Sequence, residues 1–241
     1  MSFSHHFRIQ LTSLALGALI MAVSAPLASG ASTKGPTTAS VLNAAKASML
    51  KEGAVHVVVV SKAGVSTSQV IVDIGMTIGS EMIAAGKKQV SIIVTPSYAY
   101  LSGSPTGLTG IMGLTVVQQK KLGTHSMSMK AGTAPYASLK ANLTTPVFAS
   151  MLPSVTGTKL STTGSSSTLK YQLTWTTAAT TTAPQAKSVL TFSSGKSTLP
   201  QSEVITSAAG GGTSTFSKWG EHVKVFAPSL SSTVTHKSIF G

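Results

Sequence analysis

From residue 54 onward the chain is largely a succession of short runs in which apolar and polar side chains alternate, with brief connections between most of them. Alternation with a period of two puts successive side chains on opposite faces of a strand, so each run reads as a strand with one buried face. The short connections make neighbouring strands mostly antiparallel. The runs fall at 54–60, 68–74, 89–95, 98–101, 114–118 and 124–129, then at 169–175, 187–192, 201–206, 213–218 and 222–226. The segment 75–86, with Met76, Ile78, Met82 and Ile83, suits a short helix as well as a strand.

Parity within each run selects the buried face. Val55, Val57 and Val59 form the inner set of the first run, because His56 marks the other side. Val70, Val72 and Ile74 lie opposite Gln69 and Asp73; Val90, Ile92 and Val94 follow in the next inner set. Leu169, Tyr171, Leu173 and Trp175 oppose Lys170 and Gln172, Leu190 and Phe192 continue the face, and Val223 and Val225 oppose His222 and Lys224. A single sheet this wide curls, and its apolar concavity has to be filled.

Helical segments are the available filling. Thr37 or Thr38 caps a helix to about Lys51 that places Val41, Leu42, Ala45 and Met49 on one face, and Gly53 stops it. Residues 134–143 space Tyr136, Leu139 and Leu143 helically, and Thr145-Pro146 opens a second short helix over 147–152. The stretches 101–113, 154–167, 176–186 and 208–212 are rich in Gly, Ser, Thr or Pro and read as loops. The expected fold class is therefore α+β and mainly antiparallel β, a curved sheet with an N-terminal helix and short helices packed on its concave face.

The first residues follow a different plan. His5, His6 and Arg8 precede an apolar run from 9 to 27 that ends in small residues, the layout of a secretory signal over 1–31. Cleavage after Ala31 is expected, with the Ala28/Gly30 frame and an uncleaved anchor as alternatives. Residues 32–36 then form a flexible leader, 37–228 one folded domain and 229–241 a C-terminal tail. The folded part is exported, secreted or held in the cell envelope. With no cysteine in the chain, disulfides, thiolate metal sites and a lipid-modified cysteine anchor are all excluded.

The whole chain carries a net charge of +13, and loss of Arg8 with the leader lowers this by one. Such a surface attracts polyanions. Nucleic acid is an unsuitable partner, because no arginine remains for bidentate contacts and aromatic residues make up only 5% of the chain. An anionic membrane surface or wall polymer fits better, and lysines that simply keep a Ser- and Thr-rich surface soluble are the plain alternative.

Catalytic patterns are missing. There is no G-x-S-x-G elbow, no H-E-x-x-H and no phosphate-binding glycine loop, and Glu221-His222 would point to opposite faces of a strand. No enzyme activity, catalytic residue or cofactor is expected, although a hydrolase using a serine and a histidine is an alternative. His125, Met127 and Met129 share a strand parity that could ligate a soft metal. A structural histidine is the reading preferred, and no metal is expected.

Near the C-terminus a Gly210-Gly211-Gly212 loop, a Thr-Ser-Thr-Phe-Ser run, a Trp219-Gly220 turn and an alternating last run follow one another. This order resembles the last hairpin of the mycobacterial LppX/LprG lipoprotein family, which includes LppX, LprA, LprF and LprG. A helix leading directly into A-V-H-V-V-V-V, a Y-A-Y-L-S-G stretch and a short helical pair near the middle match the same layout. The resemblance implies a LolA-like half-barrel whose hydrophobic cavity holds the acyl chains of an exported lipid or lipoglycan. Missing the lipobox cysteine, this chain would be a soluble carrier or surface protein rather than a tethered one, and a monomer is expected.

The implied cavity would be lined from the inner faces by Val57, Val59, Val70, Val72, Ile92 and Val94. Met127, Met129, Phe148 and Met151 would join them from the middle of the chain, and Leu173, Trp175, Leu190 and Phe192 from its later strands. Flexible methionines suit alkyl chains, and filling a dry core is the competing role for every one of these residues. Trp219 is expected to cover the sheet edge, with a cavity mouth or membrane interface as its functional alternative. The competing function is a non-catalytic wall or surface protein that binds acidic polymers through its lysines.

Overall fold

The computed structural model describes residues 35–164, 169–181, 183–195 and 197–241. The signal expected at 1–31 and most of the 32–36 leader lie outside the described residues. Among the described residues, no helix is long and apolar enough to cross a membrane.

Helix α1 (Thr38–Glu52) forms because its ends are well specified. The Thr37 side chain accepts from the Ser40 backbone N–H, the Ser40 side chain answers the Thr37 N–H, and Gly53 closes the helix in the left-handed region at φ 72°. Val41, Leu42, Ala45 and Met49 are its buried residues, the four that share one face in the sequence. The chain then runs through a meander of β1 (Val55–Ala63), β2 (Ser66–Ile74), β3 (Gly79–Ala85), β4 (Lys88–Val94) and β5 (Tyr98–Gly103). The undecided segment 75–86 thus resolves into β3, paired along its length with β2 and β4.

Two short helices follow where a loop and a strand were expected. Helix α2 (Pro105–Gly110) starts at Ser104, whose hydroxyl accepts from the Gly107 N–H. The predicted strand at 114–118 is corrected to α3 (Val116–Leu122), because Thr115 and Gln118 form a capping box. That box satisfies two backbone donors that a strand reading of the same β-branched run would send to a sheet partner. Strand β6 (Ser126–Lys130) is followed by α4 (Ala134–Lys140) and α5 (Thr145–Ser150), the expected helical pair.

The second half returns to strands with β7 (Lys159–Thr163), β8 (Lys170–Thr177), β9 (Ala186–Ser193), β10 (Pro200–Ser207) and β11 (Gly210–Ser217). Strand β7 lies inside the stretch 154–167 expected as loop. Residues 222–226 belong to no strand, which corrects the expected last one, since alternation alone supplies no hydrogen-bonding neighbour. Residues 229–241, read as a tail, instead carry a short 3-10 turn, β12 (Thr233–Thr235) and α6 (His236–Phe240), with Ile239 buried.

All described strands join one sheet in the order β12-β6-β5-β4-β3-β2-β1-β11-β10-β9-β8-β7. Every pairing is antiparallel except β12 beside β6, which is parallel. The expected α+β, mainly antiparallel class holds, with β1 and β11 meeting in the middle and helices on the inner face. The core divides into three apolar clusters rather than one. The first joins β3–β6 with α2, α3, α4 and Ile239 of α6. The second joins α1 to β8 and β9, and the third covers β1 and β2 at the centre.

Candidate functional site

The concave face is built by register. In one row Val57 stands between Phe216 on β11 and Val72 on β2, and the row continues through Glu81, Ile92, Leu101 and Met127. The neighbouring row runs from Val59 through Val70, Ile83 and Val90 in one direction. In the other direction it passes Ser214, Glu203, Leu190 and Leu173. The face is apolar across most of its width, and two carboxyl groups interrupt it.

The residues expected to line a cavity do share this face, but they fall into separate clusters. Ile92, Val94, Met127 and Met129 are buried in the β3–β6 flank. Leu173, Leu190 and Phe192 are buried beneath α1, with Trp175 partly buried beside them. Val57 and Val59 form the centre with the partly buried Phe148, and Val70 and Val72 pack against both the centre and the first flank. Met151 is partly buried and joins none of the three clusters.

Aromatic rings roof the centre. Phe148 of α5 lies 5.8 Å from Phe216 and 6.5 Å from Trp219, the latter pair stacked. Trp219 also donates from its indole N–H to the Pro200 carbonyl at 3.0 Å, so its polar edge is satisfied while its ring packs over β1 and β2. The turn that carries it is pinned to the start of β1, where the Gly220 N–H donates to the Ala54 carbonyl. Gly220 has φ 77°, a left-handed conformation that favours glycine, and a Cβ there would require the Glu52 carboxylate to move. Both tryptophans of the chain therefore border the concave face.

Glu81 and Glu203 are the functional candidates that sequence reasoning missed. Glu81 is 8% exposed between Val72 and Ile92, and burial raises its carboxyl from 4.5 to about 7. Glu203 is likewise raised by burial to about 7, and a hydrogen bond from the Ser188 hydroxyl opposes part of the shift. Strand register is what reveals them: Glu81 stands between Val72 and Ile92, and Glu203 faces Leu190 across the β9–β10 pair.

The outer face holds a different group. His56 Nδ1 lies 2.7 Å from an Asp73 carboxylate oxygen, and Ser80 reaches the other oxygen at 3.4 Å. His56 and Asp73, with Lys218, Glu221, His222 and Lys224, line a surface pocket of about 210 Å³. Glu221 and His222 lie outside any strand, so the opposed-face geometry expected of them does not apply. His125 is exposed in a turn while Met127 and Met129 are buried, which separates the three positions read as a soft-metal set. Among the described residues no group of three or more His, Asp or Glu side chains is placed to hold a metal.

No protein-family model and no curated protein matches the chain. Among solved structures it is similar to the lipoprotein LppX of Mycobacterium tuberculosis, at 15% identity and a TM-score of 0.46, over 79% of this chain and 100% of that one. It is also similar to LprF from Mycobacterium bovis, at 14% identity and a TM-score of 0.44, over 78% of this chain and 95% of that one.

Proposed function

We propose that the protein binds an amphipathic lipid or lipoglycan, sheltering its acyl chains between the concave face of the sheet and the helices that cover it. The observation that carries this reading is the divided core. Val70, Val72, Phe148, Phe216 and Trp219 form an apolar seam at the centre of the sheet that is only partly buried. A seam of this kind can open by shifting short helices without breaking the sheet, and each Å² of alkyl surface it covers contributes about 25 cal/mol. Transfer then proceeds by partition, with no covalent step.

The two tryptophans supply the test. Fatty acids brominated at mid-chain quench indole fluorescence on contact, so titration with 9,10-dibromostearate should give saturable quenching at one lipid per protein. Replacing Trp219 or Trp175 singly with Phe should leave a quenchable signal from the other. Unquenched emission through the titration would sink the reading.

A second reading is supported by charge. No lysine among the described residues forms an ion pair with a carboxylate, so the basic surface is unneutralised by its own acids. Binding to vesicles of anionic lipid should fall steeply between low and physiological salt, as exposed charge interactions are screened over about 8–10 Å. Salt-independent retention would discount it.

A further inference from the structure

We propose that the segment from Lys218 to Leu230 is a membrane-docking strap: Phe226 and Leu230 enter the surface of an anionic phospholipid bilayer, and Lys218 and Lys224 meet its phosphates. The inference rests on the charge reading above and adds to it the part of the protein that makes contact.

The course of the strap is the first support. It leaves β11 beside the centre of the sheet and reaches β12 at the edge, a crossing of six strand positions from β1 to β6. Residues 221–229 belong to no helix or strand. Val223 and Val225 are partly buried, while Lys224 and Phe226 are exposed, so alternation fastens one side of the strap and turns the other outward. Val223 marks where it is fastened, since a Cβ added at Gly75 would lie 3.5 Å from the Val223 Cβ.

Isolated exposed apolar side chains are ordinary, but a group of them marks a contact surface. Phe226 is 83% exposed and Leu230 80%, among the most exposed large apolar side chains of the described residues. Four residues apart, they lie within about 14 Å of each other even with the chain between them fully extended. A ring and a leucine beside lysines have the composition of an interfacial segment, whose apolar tips sit below the headgroups while ammonium groups reach the phosphates.

The basic flank is held in place by the fold. Among the described residues Lys218 is the only non-glycine with positive φ, at 53°. Such backbone persists only where its surroundings impose it, and it concentrates at binding sites. Here the Lys218 carbonyl accepts from the Glu221 N–H at 3.2 Å, and the Gly220 N–H is tied to Ala54. Lys218 and Lys224 line the pocket of about 210 Å³ with His56, Asp73, Glu221 and His222. Neither lysine forms an ion pair with either acid, and Asp73 is held by His56 at 2.7 Å. Two such ammonium groups at one pocket suit a headgroup phosphate, and the net charge of +13 favours an anionic surface.

The absence of cysteine makes the test direct, because Phe226→Cys and Val65→Cys each create a single site for an NBD fluorophore. Val65 is fully exposed in the β1–β2 turn, about 30 Å of strand away from Val55 in the pocket. On vesicles of phosphatidylglycerol and phosphatidylcholine at low salt, the label at position 226 of the exported protein should brighten several-fold and shift to the blue. The label at position 65 should not respond. Unlabelled protein carrying Phe226→Ser with Leu230→Ser should bind these vesicles about tenfold more weakly, since little else holds the two side chains. A silent label at 226, equal brightening at 65, or a double variant that binds like the parent overturns the strap while the charge reading stands. If the parent protein does not bind anionic vesicles at low salt, the charge reading fails and the strap fails with it.

Discussion

The thermal unfolding midpoint will rise as the pH is lowered from 8 towards 6, and replacing either concave-face glutamate with glutamine will remove part of the rise. The sign follows from linkage. Both Glu81 and Glu203 have carboxyls raised by burial from 4.5 to about 7, so between those values the folded protein binds more protons than the unfolded chain. Stability therefore falls as pH rises through this window, is fully present below 4.5, and has lost its carboxyl contribution above 7. Over the whole window each group accounts for about 3 kcal/mol. For a domain of this size that moves the midpoint by several degrees, at roughly 2–4 °C per kcal/mol.

His236 works against the trend at the acid end. Burial lowers its pKa, so protonation of the unfolded chain below 6.5 removes stability. The interval from pH 8 to pH 6.5 is consequently the cleanest one to measure. A midpoint flat across it, or a Glu81→Gln variant with the parent slope, would show that these carboxyls ionise normally in the folded protein.

Phe192→Ala should be the most damaging single core truncation of the sheet's outer half. Phe192 is fully buried on β9, opposite Tyr171, in the cluster that fastens α1 to the sheet. Truncating a buried Phe leaves a cavity and costs about 3–5 kcal/mol. Because Val41, Leu42 and Ala45 of α1 belong to the same cluster, the helix should lose protection together with the strands. Hydrogen exchange resolved by segment would check this. Protection lost in β8 and β9 but retained in α1 would mean that the helix is held elsewhere, for instance by its contact with α5.

How much of this architecture was legible in the sequence depended on whether hydrophobic pattern and local chemistry agreed. In α1 they agreed, and cap, face and stop were all readable from Thr37, the four buried residues and Gly53. In β1 a histidine at one position marked the outer face, and Val55, Val57 and Val59 are buried as that reading requires. At Thr115 pattern and chemistry conflicted: Val116 and Val117 favour a strand, but the capping box settles the helix. Strand β7 was illegible because Ser161, Thr162 and Thr163 are exposed at the sheet edge and need no apolar alternation.

The candidate site was legible in its apolar part and hidden in its polar part. Parity assigns valines and leucines to a face because apolar side chains prefer burial. The same rule sends a glutamate outward, so Glu81 and Glu203 were invisible to it. Only their neighbours on adjacent strands, which the sequence does not pair, reveal that they point inward.

The pairing of β1 with β11 also governs how the molecule can assemble. Ser217 meets His56 across 161 residues of chain, and this junction is the middle of the sheet. The two flanks can form early from hairpins between sequence neighbours, but their union waits until almost the entire polypeptide is present. High contact order of this kind slows folding, because a long loop must close before its contacts repay the entropy. The chain consequently has a long interval in which it is still threadable, a kinetic property set by the position of one strand pair.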